Sequence, residues 1–295
     1  MSVLLLRALL AILRSIRHPA CLAGALVVVL TLAADSSAER LIGMPTRGSL
    51  VLVGGGDITP NIAARFVTLA GGKDRKFVYI PTAAVDADID LAALETSFRA
   101  TFGVSHVTIL HTRDRRVADS NRFTEALAAA DAVWFGGGRQ WRIADAYLGT
   151  RTERALHGLL MRGGVVGGTS AGASVLASYL VRGAPEGNWV ISAPGHERGF
   201  GLLPGTAIDQ HVDLYHREND VASVILHHPD LLGISLDEAT ALVVTNGTAS
   251  VIGRGRVILH DGNQHCGLPY AVLHAGDRIA LGRQITTTCR TRLAG

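Results

Sequence analysis

Ser170 stands where an apolar run stops. The stretch Gly163-Gly164-Val165-Val166-Gly167-Gly168-Thr169-Ser170-Ala171-Gly172-Ala173-Ser174 reads as a buried strand, a sharp turn and the start of a helix, with VLASYL continuing at helical spacing. Within it, Gly168-x-Ser170-x-Gly172 is the pattern of a nucleophile elbow, a strained turn that lifts a serine above the strand end. Glycines flank the serine because side chains there would block the close packing of strand and helix. The backbone N–H of Ala171 then faces the place where an oxyanion would form, and the helix N-terminus adds positive potential.

A serine hydroxyl needs a base to take its proton, and the base needs an acid to orient it. Ala207-Ile208-Asp209-Gln210-His211 ends one apolar run, and Leu232-Gly233-Ile234-Ser235-Leu236-Asp237-Glu238 ends another. His211 and Glu238 therefore belong at strand ends, the level at which Ser170 sits. Asp237 is the second candidate for the acid. The chain order serine, histidine, acid differs from that of α/β-hydrolases, whose acid precedes the histidine. A class I glutamine amidotransferase would carry cysteine at the elbow, and here it is serine.

The elements that must position these groups follow from hydrophobic patterning. LVLV at 50–53, KFVYIP at 76–81, VSHVTIL at 104–110, AVWF at 132–135 and the elbow run read as strands. Helical spacing fills the intervals at 61–69, 89–102, 121–130 and 152–162, and Gln140-Trp141-Arg142 opens another helix. The alternation predicts an α/β fold with a doubly wound, mostly parallel sheet. In such sheets ligands sit at the carboxyl ends of the strands. The glycine triplets 54–56 and 136–138 and Ser170 all fall at such ends. No G-x-G-x-x-G or Walker pattern completes the first triplet, so it reads as a loop near an active site and not as a nucleotide site. His106 and His111 have no partner motif and read as structural or exposed. Residues 185–204, rich in Gly and Pro, read as a surface loop. Short strands around Asn246-Gly247 and Gly253-Arg254-Gly255 predict C-terminal antiparallel hairpins.

The 295-residue chain is 48% hydrophobic, enough for one substantial core. Arg7, Arg14 and Arg17 precede the apolar run 21–33, and small residues Ser36 and Ala38 close it, the pattern of a secretory signal peptide over 1–38. Residues 39–295 are then a single catalytic domain, exported to the periplasm or beyond, with no membrane attachment after cleavage. Of the formal net charge of +3, the leader carries Arg7, Arg14, Arg17 and Asp35, which leaves +1 and no dense basic run, so no nucleic-acid partner is expected. Cys21 leaves with the leader, and Cys266 and Cys289 remain as an expected disulfide in an oxidising compartment. No metal or organic cofactor is expected. The expected partners are a peptide substrate and, at most, a second copy forming a homodimer.

VLVGGGD, FGGGRQ, GGTSAGAS, GLLPGTAIDQH and GISLDEATA occur here in the order found in the cyanophycinase and dipeptidase E serine peptidases, and the chain resembles that family from about residue 48 to 262. The resemblance implies a class I glutamine-amidotransferase-like fold, a Ser-His-Glu or Ser-His-Asp triad, and an oxyanion hole from Ala171 N–H with Gly137 or Gly138 N–H. It matches Ser170, His211 and Glu238 to the triad, and Gln140, Asp209 and Gln210 to positions lining the cyanophycinase pocket. Cyanophycinases carry three spaced arginines after the histidine, and here those places hold Tyr215, Arg217 and Asp220. Arg139 stands before Gln140 where an acid is usual. Arg217 remains able to clamp a substrate carboxylate bidentately. The implied activity is that of an exported serine exopeptidase for β-aspartyl-linked peptides, cyanophycin or a related acidic peptide, with specificity shifted from standard cyanophycin. The alternatives are an isoaspartyl or aspartyl dipeptidase of the same family, or a catalytically silent exported binding protein.

Overall fold

The computed structural model describes residues 47–282 and 285. The expected leader at 1–38 and Cys289 lie outside the described residues, whereas Cys266 is disulfide-bonded. In chain order the first half comprises β1 (Ser49–Val53), α1 (Pro60–Leu69), β2 (Lys76–Ile80), α2 (Leu91–Phe102), β3 (His106–Ile109), α3 (Arg115–Ala118) and α4 (Asn121–Ala129). There follow β4 (Ala132–Phe135), α5 (Gln140–Tyr147), α6 (Arg151–Met161), β5 (Val165–Thr169), α7 (Ala171–Ser174) and β6 (Ala177–Tyr179). The rest is β7 (Leu203–Asp209), α8 (Val212–Tyr215), α9 (Asp220–His227), β8 (Leu232–Leu236), β9 (Thr240–Thr245), β10 (Thr248–Gly253), β11 (Arg256–His260), β12 (Ala271–His274) and β13 (Arg278–Ala280).

The strands form two sheets. The larger runs β13-β10-β9-β1-β5-β4-β2-β3, and the smaller runs β12-β11-β8-β7-β6. From β1 to β3 the large sheet is parallel, and β9, β10 and β13 extend it in antiparallel fashion. Side chains on a strand alternate between faces, and β1 is buried on both. Leu50 and Leu52 join a core with α4, α5 and α6 that continues into the small sheet. Val51 and Val53 join a second core under α1 and α2. That second core is aromatic: the Phe66 and Trp134 rings meet edge to face at 4.8 Å between centroids. Gly167 on β5 makes room for it, because a Cβ there would strike the Trp134 ring. The expected α/β fold with a mostly parallel sheet and antiparallel C-terminal strands is thus present.

Three readings need correction. The expected helix over VLASYL does not form. α7 ends after one turn, and Ala177–Tyr179 becomes β6 beside β7. Val175 to Val181 is buried at nearly every position, so its sequence carries no face to distinguish helix from strand. Of the two expected hairpins only Asn246-Gly247 makes one, joining β9 to β10, while Gly253-Arg254-Gly255 carries the chain from one sheet to the other. Residues 185–204 are also more than surface loop, since Ala193, Phe200 and Leu202 are buried.

His260 on β11 is a liability of the small sheet. It is 1% exposed, and neither ring nitrogen makes a hydrogen bond of normal geometry. Burial pushes the imidazole down from 6.5 to about 4, against smaller upward pulls from the Glu218 backbone and Asp261. The unfolded chain therefore binds a proton at higher pH than the native one does. Stability is full above the unfolded value and falls as pH drops through the window from 6.5 to about 4. The loss attributable to His260 is about 3 kcal/mol by the bottom of that window. Urea midpoints measured against pH should show it, and His260→Leu should flatten that limb. Parallel wild-type and mutant curves would contradict the assignment.

Candidate active site

The elbow is built by backbone strain and missing β-carbons. Ser170 has φ 53° and ψ −118°, outside the regions L-residues favour. Its N–H donates to Val53 O at 2.9 Å, which ties the turn to β1. A Cβ on Gly168 would overlap the Gly172 carbonyl, and one on Gly172 would overlap Phe135 O. The two glycines of the pattern are therefore packing requirements.

Ser170 Oγ lies 2.8 Å from His211 Nε2, and His211 Nδ1 lies 2.5 Å from Glu238 Oε1. Serine, imidazole and carboxylate thus form one continuous hydrogen-bonded line across the carboxyl ends of β5, β7 and β8. The glycine triplet after β1 is the floor of that line. His211 N–H donates to Gly54 O and Ala239 N–H to Gly55 O, each at 2.8 Å. A Cβ on Gly55 would fall inside the His211 ring, and one on Gly56 would lie 2.9 Å from Glu238 Oε2. His211 itself adopts φ 55°, and Asp213 Oδ1 accepts the Glu238 N–H at 2.8 Å. Neither the triplet's contact with the histidine nor the part of Asp213 was legible beforehand. A glycine run after a strand was the only signal for the first, and nothing marked the second.

Asp237 is engaged elsewhere. Its carboxylate takes Arg256 Nε and the Arg256 N–H, each at 2.8 Å, and its side chain is nearly buried. Of the two acids, only Glu238 reaches the histidine.

On the other flank, Gly137 sits beside the serine: a Cβ there would be 3.5 Å from Ser170 Cβ. Among the described residues, the N–H groups of Gly137, Gly138 and Ala171 donate to no protein atom. Gly138 holds φ 138° with its Cα against the Ala83 carbonyl, which also accepts Arg139 N–H at 2.8 Å and Arg142 Nη1 at 3.0 Å. α7 is too short for a large helix dipole, so any oxyanion stabilisation there rests on individual N–H groups.

The remaining expected site residues divide. Gln140, Asp209 and Gln210 are buried behind the line. Gln140 Nε2 donates to Val181 O at 2.7 Å, Gln210 Oε1 accepts from Ser174 Oγ at 3.0 Å, and both oxygens of Asp209 are held by Arg182 at 2.8 and 2.9 Å. Arg217 is nearer the surface. Its guanidinium stacks 4.3 Å above the Tyr215 ring, and Tyr215 meets His211 edge on at 5.9 Å. Among the described residues no carboxylate pairs with it, and burial, followed by repulsion from Arg182, lowers its pKa from the usual value. Arg139 does not reach a carboxylate either, and its Nη2 donates to Ala184 O. No group of three or more His, Cys, Asp or Glu among the described residues could hold a metal ion. No helix among them is long and apolar enough to cross a membrane.

The model of peptidase family S51 matches residues 49–252. The cyanophycinase of Geminocystis herdmanii is 29% identical over 241 residues, covering 80% of this chain and 88% of its own. That of Synechococcus elongatus is 32% identical over 228 residues, covering 73% and 68%. Among solved structures, a peptidase from an acI-B1 Actinobacterium superposes with a TM-score of 0.61 at 27% identity, over 80% of this chain and 98% of that one. A putative peptidase E protein from Listeria monocytogenes shares the fold, with a TM-score of 0.52 at 13% identity over 71% of this chain and all of that one.

The two acids make opposite forecasts. Glu238→Gln should lower kcat/KM by about 10²–10⁴-fold with the fold intact, because the imidazole loses its orienting carboxylate. Asp237→Asn should lower the Tm, by weakening the bond to Arg256, and hold kcat/KM within about tenfold. Equal or reversed losses in kcat/KM would reassign the acid.

Proposed function

The chain belongs to peptidase family S51, and we propose that it is an exported serine exopeptidase that hydrolyses β-aspartyl-linked acidic peptides through Ser170, His211 and Glu238. The observation that carries this reading is the unbroken line Ser170 Oγ–His211 Nε2 and His211 Nδ1–Glu238 Oε1. Ser170 Oγ attacks the scissile carbonyl while His211 Nε2 takes its proton. Glu238 holds the imidazole and offsets the imidazolium charge. The carbonyl oxygen, now negative, receives the free N–H groups of Ala171 and of Gly137 or Gly138. Collapse expels the amine, which leaves with the proton from His211. Water, deprotonated by the same nitrogen, then releases the acid and restores the serine. The steps need no cofactor.

Charge around the site supports an acidic substrate. Arg217 is a cation without a carboxylate partner among the described residues, set within two ring contacts of His211. A free guanidinium beside a base suits a substrate carboxylate. Tyr215 occupies another of the family's arginine places, so a β-aspartyl dipeptide fits better than standard cyanophycin. The leader-like pattern over residues 1–38 supports export.

Purified protein should hydrolyse a β-aspartyl dipeptide, and Ser170→Ala should abolish that activity without changing the Tm. Arg217→Ala should cost about tenfold to a hundredfold in kcat/KM on the dipeptide, and little on its carboxamide analogue. Activity retained in Ser170→Ala would overturn the nucleophile. No activity on any β-aspartyl panel member or on cyanophycin would favour a silent binding protein. Cell fractionation with N-terminal sequencing should find a mature chain beginning at Glu39 outside the cytoplasm, and an intact cytoplasmic chain would overturn export.

A further inference from the structure

Arg182 is the largest fully buried side chain among the described residues, and the triad does not use it. It stands three residues past the end of β6 with φ 57°. All three of its nitrogens are bonded. Nε and Nη2 grip the two oxygens of Asp209 at 2.8 and 2.9 Å, Nη2 also meets Asp220 Oδ2 at 2.6 Å, and Nη1 donates to Asn188 O at 2.7 Å. Asp209 is wholly buried and lies two residues before His211, whereas Asp220 opens α9 and keeps 38% of its side-chain surface. Arg217 feels all three groups, repelled by Arg182 and attracted by both aspartates.

A buried arginine facing two carboxylates neutralises one and leaves the other, Asp220, held by one hydrogen bond and unbalanced in charge. Freed from Arg182, Asp220 would be drawn to the guanidinium of Arg217, whose backbone O already accepts the Asp220 N–H at 3.1 Å. Resting on the reading of Arg217 as the carboxylate clamp, we propose that Arg182 determines specificity by occupying Asp209 and Asp220, which keeps Arg217 unpaired for a substrate carboxylate. Asp220 is then a structural acid, not a lost pocket arginine. Asp220→Arg would set two guanidinium groups against each other and should not restore a cyanophycin pocket.

The test is kinetic, on the full folded enzyme, with a β-aspartyl dipeptide and the analogue whose free α-carboxylate is a carboxamide. Arg182→Lys keeps the charge but cannot hold both oxygens of Asp209 and reach Asp220. It should raise KM for the dipeptide about tenfold at nearly constant kcat, and leave the carboxamide unchanged. Adding Asp220→Asn should restore the dipeptide KM, because the competing carboxylate is gone. Asp220→Asn alone, a mild change at a partly exposed site, should lower the dipeptide KM about threefold and carries the test if Arg182→Lys fails to fold. Three results would overturn the proposal: an unchanged dipeptide KM, an equal rise for the carboxamide, or no restoration in the double variant. Arg217→Ala separates the two readings. If it does not discriminate between the substrates, the clamp itself is wrong. If it does, and the Arg182 and Asp220 variants behave otherwise than expected, only the present inference falls.

Discussion

The imidazole of His211 lies against the α-carbon of Gly55, in space that any β-carbon would occupy. That contact sets the geometry of the whole site. It allows the histidine backbone to dock on Gly54 O, at 2.8 Å, in a left-handed conformation that turns the ring toward Ser170. The same loop receives Ala239, the residue after Glu238, so one glycine triplet fixes both the histidine and the turn that carries its carboxylate. Positive φ at Ser170, His211 and Ala239 places strained residues at three corners of the same cluster. Such strain persists only where surrounding contacts over-determine it, and here the contacts come from β1, β5 and the turns after β7 and β8.

The two sheets meet functionally at their carboxyl ends. The large sheet supplies Ser170 and the glycine turns, and the small sheet supplies His211 and Glu238. Because the two are joined through one continuous apolar core, the distance from serine to histidine is set by packing and not by a flexible link. Polar groups behind the line complete the support. Gln140 bonds Val181, Gln210 bonds Ser174 and Arg182 bonds Asp209, so each lateral element of the site is fastened to its neighbour by a buried hydrogen bond.

Ser170, His211 and Glu238 were legible in the sequence because each closes an apolar run, and closing a run places a residue at a sheet edge. The parallel half of the large sheet was legible for the same reason. The small sheet was not. Its β6 pairs with β7 across more than twenty intervening residues that have no repeating pattern, and β6 itself looked helical because nearly every position around it is buried. Arg182 was invisible because a charged residue between Val181 and Gly183 offers no hint of partners that lie 27 and 38 residues away. Sequence also could not separate Asp237 from Glu238. They are adjacent, and only the turn after β8 sends one to Arg256 and the other to His211.

The most direct test of the account is the rate at which a fluorophosphonate labels the enzyme, with the adduct mapped by mass spectrometry, in wild type and in Gly55→Ala. A serine reacts with such a probe only when a base is in place beside it. The structure predicts a single adduct on Ser170 in wild type, and labelling slowed by orders of magnitude in Gly55→Ala, whose Cβ displaces the imidazole while the sheets remain folded. An adduct on another residue, or a folded Gly55→Ala variant that labels Ser170 at the wild-type rate, would contradict it.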